Sequence, residues 1–186
     1  RVALVVGDVV GHGMNAAATM GRLRAAVRTL ANLDLPPDEL LAHLDDLVIG
    51  LMGAHDAHEP DAAEGAGFMG ATCLYAVYDP VGSRCTLARA GHLPPVLVTP
   101  GRPAEVLDLP AGPPLGLGYL PFESVELEIA EGSLLAFYTD GLVESAGRDI
   151  DDGISQLGQA LTRPAQTLEE IGRVCVEACL RIGYRG

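Results

Sequence analysis

The chain has 186 residues, enough for one domain with a substantial core, and 48% of them are hydrophobic while 20% are charged. The formal net charge of −13 at pH 7 argues against two classes of function. A nucleic-acid-binding surface needs a basic face that displaces counterions, and binding to an anionic membrane needs a similar positive patch. The sequence also has no signal peptide and no apolar run of about 20 residues, so it contains no predicted membrane segment.

The four cysteines are predicted to be buried free thiols. Cys73 and Cys85 lie on two strands expected to form a hairpin, but a short turn places them out of register. Cys175 and Cys179 recur at helical spacing on one helix face, as core residues do. Buried free thiols are typical of a reducing compartment, so we expect a cytoplasmic protein.

The N-terminal part of the chain is predicted to form one strand and two helices. Residues 2–6 form a continuous apolar run, which predicts a buried strand over residues 1–6. An apolar stripe predicts a helix over residues 14–30, and prolines and acids at 35–39 open a second helix. We interpret residues 14–51 as an antiparallel helical hairpin. The small, acidic segment 53–70 is predicted to be a mobile loop.

The middle of the chain is predicted to be an antiparallel meander that forms a sandwich. The expected strands are residues 71–78, 84–90, 96–98, 105–109, 124–129 and 134–139. The spacing of Thr167 and Glu170 is that of a capping box and predicts a final helix. Asp151 and Asp152 are expected in a loop before that helix.

A glycine-rich turn at residues 7–13 holds the first candidate site residue. Asp8 follows the predicted strand, and a fixed carboxylate beside a backbone carbonyl suits a hard cation. The alternative is structural, because Asp8 could cap the next helix or hydrogen-bond the turn. His12 is a candidate proton donor to a leaving oxygen, or a residue that fixes the loop. The glycines that allow the sharp turn are Gly7, Gly11 and Gly13.

A second aspartate follows another apolar run. Residues 134–138 predict a central strand, which would deliver Asp140 to a sheet edge much as the first strand delivers Asp8. Asp140 and Gly141 are equally typical of a hairpin turn, and that alternative stays open. If the ligand of so acidic a protein is a phosphate, a bound divalent cation could supply the missing positive charge.

Two further loops contain rigid turns. His92 lies in the Ala-Gly-His-Leu-Pro-Pro segment at residues 90–95, and we interpret it as structural, with its ring hydrogen-bonded to backbone. The Gly-Pro-Pro-Leu-Gly-Leu loop at residues 112–117 carries no reactive side chain. It is expected to shape a rim or to pack the two sheets.

Together and in this order, these motifs resemble the metal-dependent protein phosphatase family (PPM, type 2C), specifically its bacterial SpoIIE/RsbU type. The resemblance implies an α+β fold over residues 1–186: an antiparallel β-sandwich flanked by helices, in four α-β-β-α layers. It implies hydrolysis of phosphoserine and phosphothreonine by water that two Mn²⁺ or Mg²⁺ ions activate. The matching metal ligands are Asp8, the backbone carbonyl of Val9, and Asp140. Gly7, Gly11, Gly13, His92 and Gly141 match as structural loop residues.

The sequence departs from that family at two places. The family has an acidic motif on a strand before that of Asp8 and an Asp-Asp pair on a C-terminal strand, and this chain contains neither. Asp151 and Asp152 come too early for the second role. We therefore expect a fragment, incomplete at both termini, that binds Mn²⁺ weakly and is much less active than the intact domain.

The resemblance also implies partners. The usual substrates of this group are phosphorylated STAS-type anti-sigma-factor antagonists, and a sensor domain often precedes the phosphatase. Residues 14–51 are the expected regulatory element, since a shift of the first helical turn would move Asp8.

The alternative function is a pseudophosphatase that binds phosphoproteins as a regulatory module. A nucleotide-binding loop is disfavoured, because residues 7–13 match neither a P-loop nor GxGxxG. The oligomeric state stays open, a dimer included.

Overall fold

The computed structural model describes residues 1–56, 70–118, 121–144, 149–163 and 167–180. The strands are β1 (Val2–Val9), β2 (Ala71–Asp79), β3 (Arg84–Ala90), β4 (Val96–Val98), β5 (Glu105–Val106), β6 (Ser124–Glu128) and β7 (Leu134–Ala136). The helices are α1 (Met14–Leu30), α2 (Pro37–Asp56), α3 (Asp140–Val143), α4 (Ile150–Leu161) and α5 (Leu168–Leu180). This mixture of helices and antiparallel strands confirms the predicted α+β class.

The strands form two antiparallel sheets, each in its own compact unit. The four-stranded sheet has the order β1-β2-β3-β6, and the three-stranded sheet has the order β5-β4-β7. The first unit comprises residues 1–92 and 109–129, and the second comprises 93–108 and 130–186. The predicted simple meander is wrong, because the chain leaves the first sheet after β3 and returns to it as β6.

β1 is longer and more exposed than the sequence predicted. It pairs with β2 from Val2 opposite Tyr78 to Val9 opposite Ala71, so the ladder passes through Asp8. Val2 and Val5 are each 49% exposed, so the prediction of a buried strand is wrong. The reason is that β1 lies at the edge of its sheet in the described part of the chain.

The core of the first unit lies between α2 and the sheet. α1 begins and ends at the predicted residues, and a single 3-10 turn (Ala31–Leu33) connects it to α2. The apolar stripe of α2 packs with residues of β2 and β3, and its side chains Leu40, Leu41, Leu44 and Val48 are buried. α2 continues through residues 53–56, which the sequence assigned to a loop. Residues 57–69 of that predicted loop lie outside the described residues.

The second unit differs from the prediction at three places. β4 is the central strand of its sheet and β7 is an edge strand, so residues 134–138 do not form a central strand. Asp140 begins α3 instead of a hairpin turn. Asp151 and Asp152 lie in the first turn of α4, where carboxylates interact favourably with the helix dipole, and not in a loop.

The capping of the last two helices follows local sequence. The Asp149 side chain accepts the Asp151 N–H at 2.9 Å and so caps α4, a signal that the sequence analysis overlooked. The Thr167 hydroxyl accepts the Glu170 N–H at 3.1 Å, which confirms the predicted capping of α5.

All four cysteines are buried and free, as predicted. The ladders pair Cys73 with Gly7 and Cys85 with Tyr78, so the two thiols are out of register. Burial raises the pKa of Cys73 to about 12 and that of Cys85 to about 11, which keeps both thiols neutral and unreactive near pH 7. No described helix has the length and apolar character that a bilayer-spanning segment needs.

A matched pair of glycines tests the packing of α4. A Cβ on Gly153 would overlap the carbonyl oxygen of Val143, whereas a Cβ on Gly172 of α5 meets nothing within 4 Å. Gly153→Ala should destabilise the protein by about 1–3 kcal/mol through overpacking. Gly172→Ala should stabilise it by about 0.5–1 kcal/mol through helix propensity. Chemical denaturation of both variants checks this expectation, and equal stability of the two would contradict the packing described.

Candidate functional site

Asp8 lies one residue before the end of β1 with its carboxylate exposed. Its Oδ1 accepts the N–H of Val9 at 2.8 Å. This bond fixes the orientation of the carboxylate and leaves the second oxygen for a ligand. The side chain therefore combines a rigid backbone origin with an accessible hard oxygen donor.

Asp140 is held in the same way in the second unit. It is the first residue of α3, its carboxylate is exposed, and its Oδ1 accepts the N–H of Gly141 at 2.7 Å. Gly141 has no steric reason to be glycine, since a Cβ there meets nothing within 4 Å. Its structural role stays a prediction.

The donor chemistry at these two positions suits a hard divalent cation. Each aspartate offers a fixed carboxylate with one oxygen available. Within the described ranges, however, no group of three or more His, Cys, Asp or Glu side chains could hold a metal ion. The described residues thus supply separate ligands of the right type rather than a closed cage.

The glycine-rich turn adopts conformations that require glycine. Gly11 (φ 102°) and Gly13 (φ 84°) are both in the left-handed region, and Gly13 directly precedes α1. Gly7 lies inside β1, where a Cβ would overlap the carbonyl oxygen of Thr72. His12 is exposed between the two left-handed glycines, so its imidazole is accessible from solvent.

A hydrogen-bonded pair, half-buried Thr72 and buried His92, lies next to Asp8. Thr72 is directly opposite Asp8 in the β1–β2 ladder, so both side chains lie on one face of the sheet. The Thr72 hydroxyl is 2.8 Å from Nδ1 of His92, which is only 4% exposed. The sequence led us to expect a hydrogen bond from the His92 ring to backbone, but Nδ1 of the ring is hydrogen-bonded to the Thr72 side chain.

Arg89 holds the two loops that meet beside this pair. Its Nη1 donates to the carbonyl of His92 at 2.9 Å, and its Nε and Nη2 donate to the carbonyl of Leu109 at 3.2 and 2.8 Å. The roles of Arg89 and Thr72 were not predicted from the sequence. The one indication in the sequence was a charged residue, Arg89, inside an otherwise apolar strand.

The loop at residues 112–117 packs on the strands of the first sheet. Gly91 donates to the carbonyl of Gly112 at 2.8 Å. Gly91 has φ 61°, and a Cβ there would lie 2.6 Å from Cγ of Pro114, so only glycine fits. The loop therefore docks next to the turn that carries His92.

Comparison with known proteins gives a consistent result. Residues 1–186 match the family model described as Stage II sporulation protein E (SpoIIE). The structure of the RsbU and RsbW domains of Rv1364c from Mycobacterium tuberculosis has a TM-score of 0.77 at 29% identity, over 96% of this chain and 47% of that one. The present chain thus spans about half the length of that relative.

More distant structures show the same fold. The SiaA-PP2C domain of Pseudomonas aeruginosa has a TM-score of 0.74 at 19% identity, over 98% of this chain and 70% of that one. A structure of the PP2C phosphatase domain and a regulatory fragment of SpoIIE from Bacillus subtilis has a TM-score of 0.73 at 14% identity, over 96% and 49% of the two chains. Because the family model matches the whole printed sequence, the chain belongs to the SpoIIE family, with the fold of a PP2C-type (PPM) phosphatase domain of the SpoIIE/RsbU kind.

Proposed function

We propose that this protein is a metal-dependent protein serine/threonine phosphatase. The observation that carries the proposal is the shared geometry of Asp8 and Asp140. Each carboxylate is exposed and accepts the next backbone N–H through Oδ1, at 2.8 and 2.7 Å. Two carboxylates that are oriented by the same kind of backbone hydrogen bond, in a chain of the SpoIIE family, support a cation site for phosphoester hydrolysis.

The proposed ligands are Asp8, the carbonyl of Val9 and Asp140, and the proposed ions are Mn²⁺ or Mg²⁺, two in the intact domain. Such ions, when bound, lower the pKa of a water and neutralise phosphate oxygens. The catalytic domain of PstP, which has a TM-score of 0.65 at 21% identity, was solved in complex with two manganese ions. The net charge of −13 is consistent with this proposal, because a bound cation would supply the positive charge that attracts a phosphate.

The remaining roles belong to Val9, the last residue of β1, and to His12 in the turn that follows. The Val9 N–H keeps the Asp8 carboxylate in one orientation, so little reordering accompanies cation binding. We assign the exposed imidazole of His12 to protonation of the serine or threonine oxygen as it leaves.

The proposed substrate is a phosphorylated STAS-type anti-sigma-factor antagonist, and the proposed upstream partner is a sensor domain. Support comes from the RsbU/SpoIIE kind of domain and from the relative in which RsbU and RsbW domains occur in one structure. We place the protein in the cytoplasm, in line with its four buried free thiols.

A second candidate is a pseudophosphatase that binds phosphoproteins without hydrolysing them. The observation in its favour is that the described residues contain no three-ligand group for a metal. The two candidates differ in turnover, so one assay separates them.

The central experiment replaces the two aspartates by their isosteric amides. Asp8→Asn and Asp140→Asn should each lower the rate of Mn²⁺-dependent dephosphorylation of a phosphorylated STAS protein by more than about 100-fold. Loss of a residue that only hydrogen-bonds a metal ligand lowers activity by about 10–100-fold, so a larger loss indicates a direct ligand. Asp108→Asn, at another exposed aspartate, is the matched control and should leave the rate unchanged.

Steady-state rates and Mn²⁺ titration calorimetry supply the two readouts. Normal turnover by either variant would disprove the ligand assignment. Phosphoprotein binding without turnover at saturating Mn²⁺, measured on the intact domain because a fragment is expected to be much less active, would establish the pseudophosphatase instead.

The end of β1 must be rigid for this chemistry. The Thr72–His92 hydrogen bond stabilises the strand residue that is paired with Asp8. Thr72→Val keeps the shape of the side chain but removes the hydroxyl, which leaves Nδ1 of a buried imidazole without that partner. We expect a loss of about 1–3 kcal/mol in unfolding free energy. Thr72→Ser keeps the hydroxyl and should lose less than about 1 kcal/mol, since it removes one methyl group. Urea denaturation measures both, and an unaffected Thr72→Val variant would show that the bond does not support this region.

A further inference from the structure

A cavity of about 470 Å³ lies between α1 and the sheet of the first unit. Its volume is in the range of small-molecule sites. All of its lining residues belong to that unit, and most are apolar. The walls come from β1, β2, both long helices and the loop at residues 112–117, and they include Val5, Met20, Val27, Leu44, Cys73 and Leu115.

This cavity is distinct from the proposed cation site. Asp8 and Thr72 also border it, but successive side chains of a strand point to opposite faces. Val9 and Cys73 pack in one core cluster with Leu44 of α2, so their face of the sheet is the one that the helices cover. The Asp8 carboxylate therefore starts from the opposite face.

The cavity exists because α1 covers the sheet loosely. Gly7 lies between Val5 and Val9 on the covered face and brings no side chain. Thr19 and Leu23 are the buried residues of the 17-residue helix α1. Protein interiors are normally packed without voids of this size, so apolar surface is left here that a ligand with an apolar body would cover.

Two arginines supply positive charge at this cavity. Arg24 and Arg28 both line it, are exposed, and lie one helical turn apart on α1. Within the described ranges, neither guanidinium has an ion pair or a hydrogen bond. Like charges at this spacing destabilise a helix, and α1 contains no acidic residue although the chain has 25. The pair is thus left for an anion from outside the described fold.

We propose that this cavity binds an apolar monocarboxylate. Its carboxylate lies on Arg24 and Arg28, whose planar guanidinium groups match a carboxylate through paired hydrogen bonds. Its hydrocarbon body lies between α1 and the sheet, against Val5 and Leu44. The inference goes beyond the proposed phosphatase function and does not depend on it, because it involves neither of the two aspartates assigned to the cation.

Titration calorimetry with three probes tests the ligand class. Decanoate, used below its critical micelle concentration, should bind with one-to-one stoichiometry. Acetate has the same charged group without the chain and should bind more than about 100-fold more weakly, because each buried methylene contributes about 0.8 kcal/mol. Decylammonium has the same chain with the opposite charge and should bind at least about tenfold more weakly than decanoate. No binding of decanoate, or equal binding of either analogue, would overturn the proposal.

Three arginine variants separate the site from the general charge of α1. Arg24→Gln and Arg28→Gln remove the charge and nearly keep the side-chain length. Each should raise the decanoate dissociation constant by about tenfold, the lower end for hydrogen bonds to charged groups, because both guanidiniums are exposed. Arg22→Gln is the matched control at an exposed arginine outside the cavity lining, and it should bind like wild type. Wild-type affinity of both Arg24→Gln and Arg28→Gln would overturn the proposal.

Nuclear Overhauser effects locate the chain of bound decanoate in wild-type protein. They should connect it with the methyl groups of Met20, Val27 and Leu44, and contacts with other surfaces alone would overturn the proposal. Val27→Phe adds bulk to the half-buried wall and should abolish binding. If that variant does not fold, the contacts in wild type still decide.

Other occupants of the cavity give different results. A Glu-rich peptide that binds more tightly than decanoate would identify a protein partner instead. A concentration-dependent dimer that decanoate does not dissociate would identify a second copy of this chain. Either result would overturn the proposal. Decanoate at about 100 times its dissociation constant should raise the thermal midpoint by about 5 °C or more, since it binds the folded state.

Discussion

The ladder between β1 and β2 is the constraint on which the other features of the site depend. Its register places Asp8 opposite Thr72 and Val9 opposite Ala71. A slip of one residue would turn every side chain of β1 to the other face of the sheet. The pairing thus decides which face carries the carboxylate and which residues stand behind it. Because β1 is an edge strand, this one ladder supplies its backbone pairing in the described chain.

Buried and half-buried polar side chains hold the surroundings of that ladder in place. His92 bonds Thr72, Arg89 bonds the carbonyls of two loops, and Asp45 bonds a third loop that is fastened to β2. Each of these groups is unfavourable when unpaired in a low-dielectric interior. Each of these bonds therefore favours one arrangement of the backbone beside the strand end. Such rigidity suits a site that must present a carboxylate to a cation without reordering.

The sequence predicted the local features well and the long-range ones poorly. Periodicity and capping located α1 and α5, because helix signals are local. The edge positions of β1 and β7 depend on which strands pair, and pairing is not encoded within one segment. The hydrogen bonds of Thr72 and Asp45 could not be predicted from the sequence either. An isolated threonine or an Asp-Asp pair on a helix is ordinary in sequence, and only the fold brings each to its partner.

The central proposal is that Asp8 and Asp140 are each a ligand of a divalent cation. Paramagnetic broadening of backbone amide signals during a substoichiometric Mn²⁺ titration tests it most directly. We predict that the signals of Val9 and Gly141, whose N–H groups donate to the two carboxylates, both disappear before those next to other exposed aspartates. Uniform broadening along the acidic surface, or loss of one of these two signals without the other, would contradict the account.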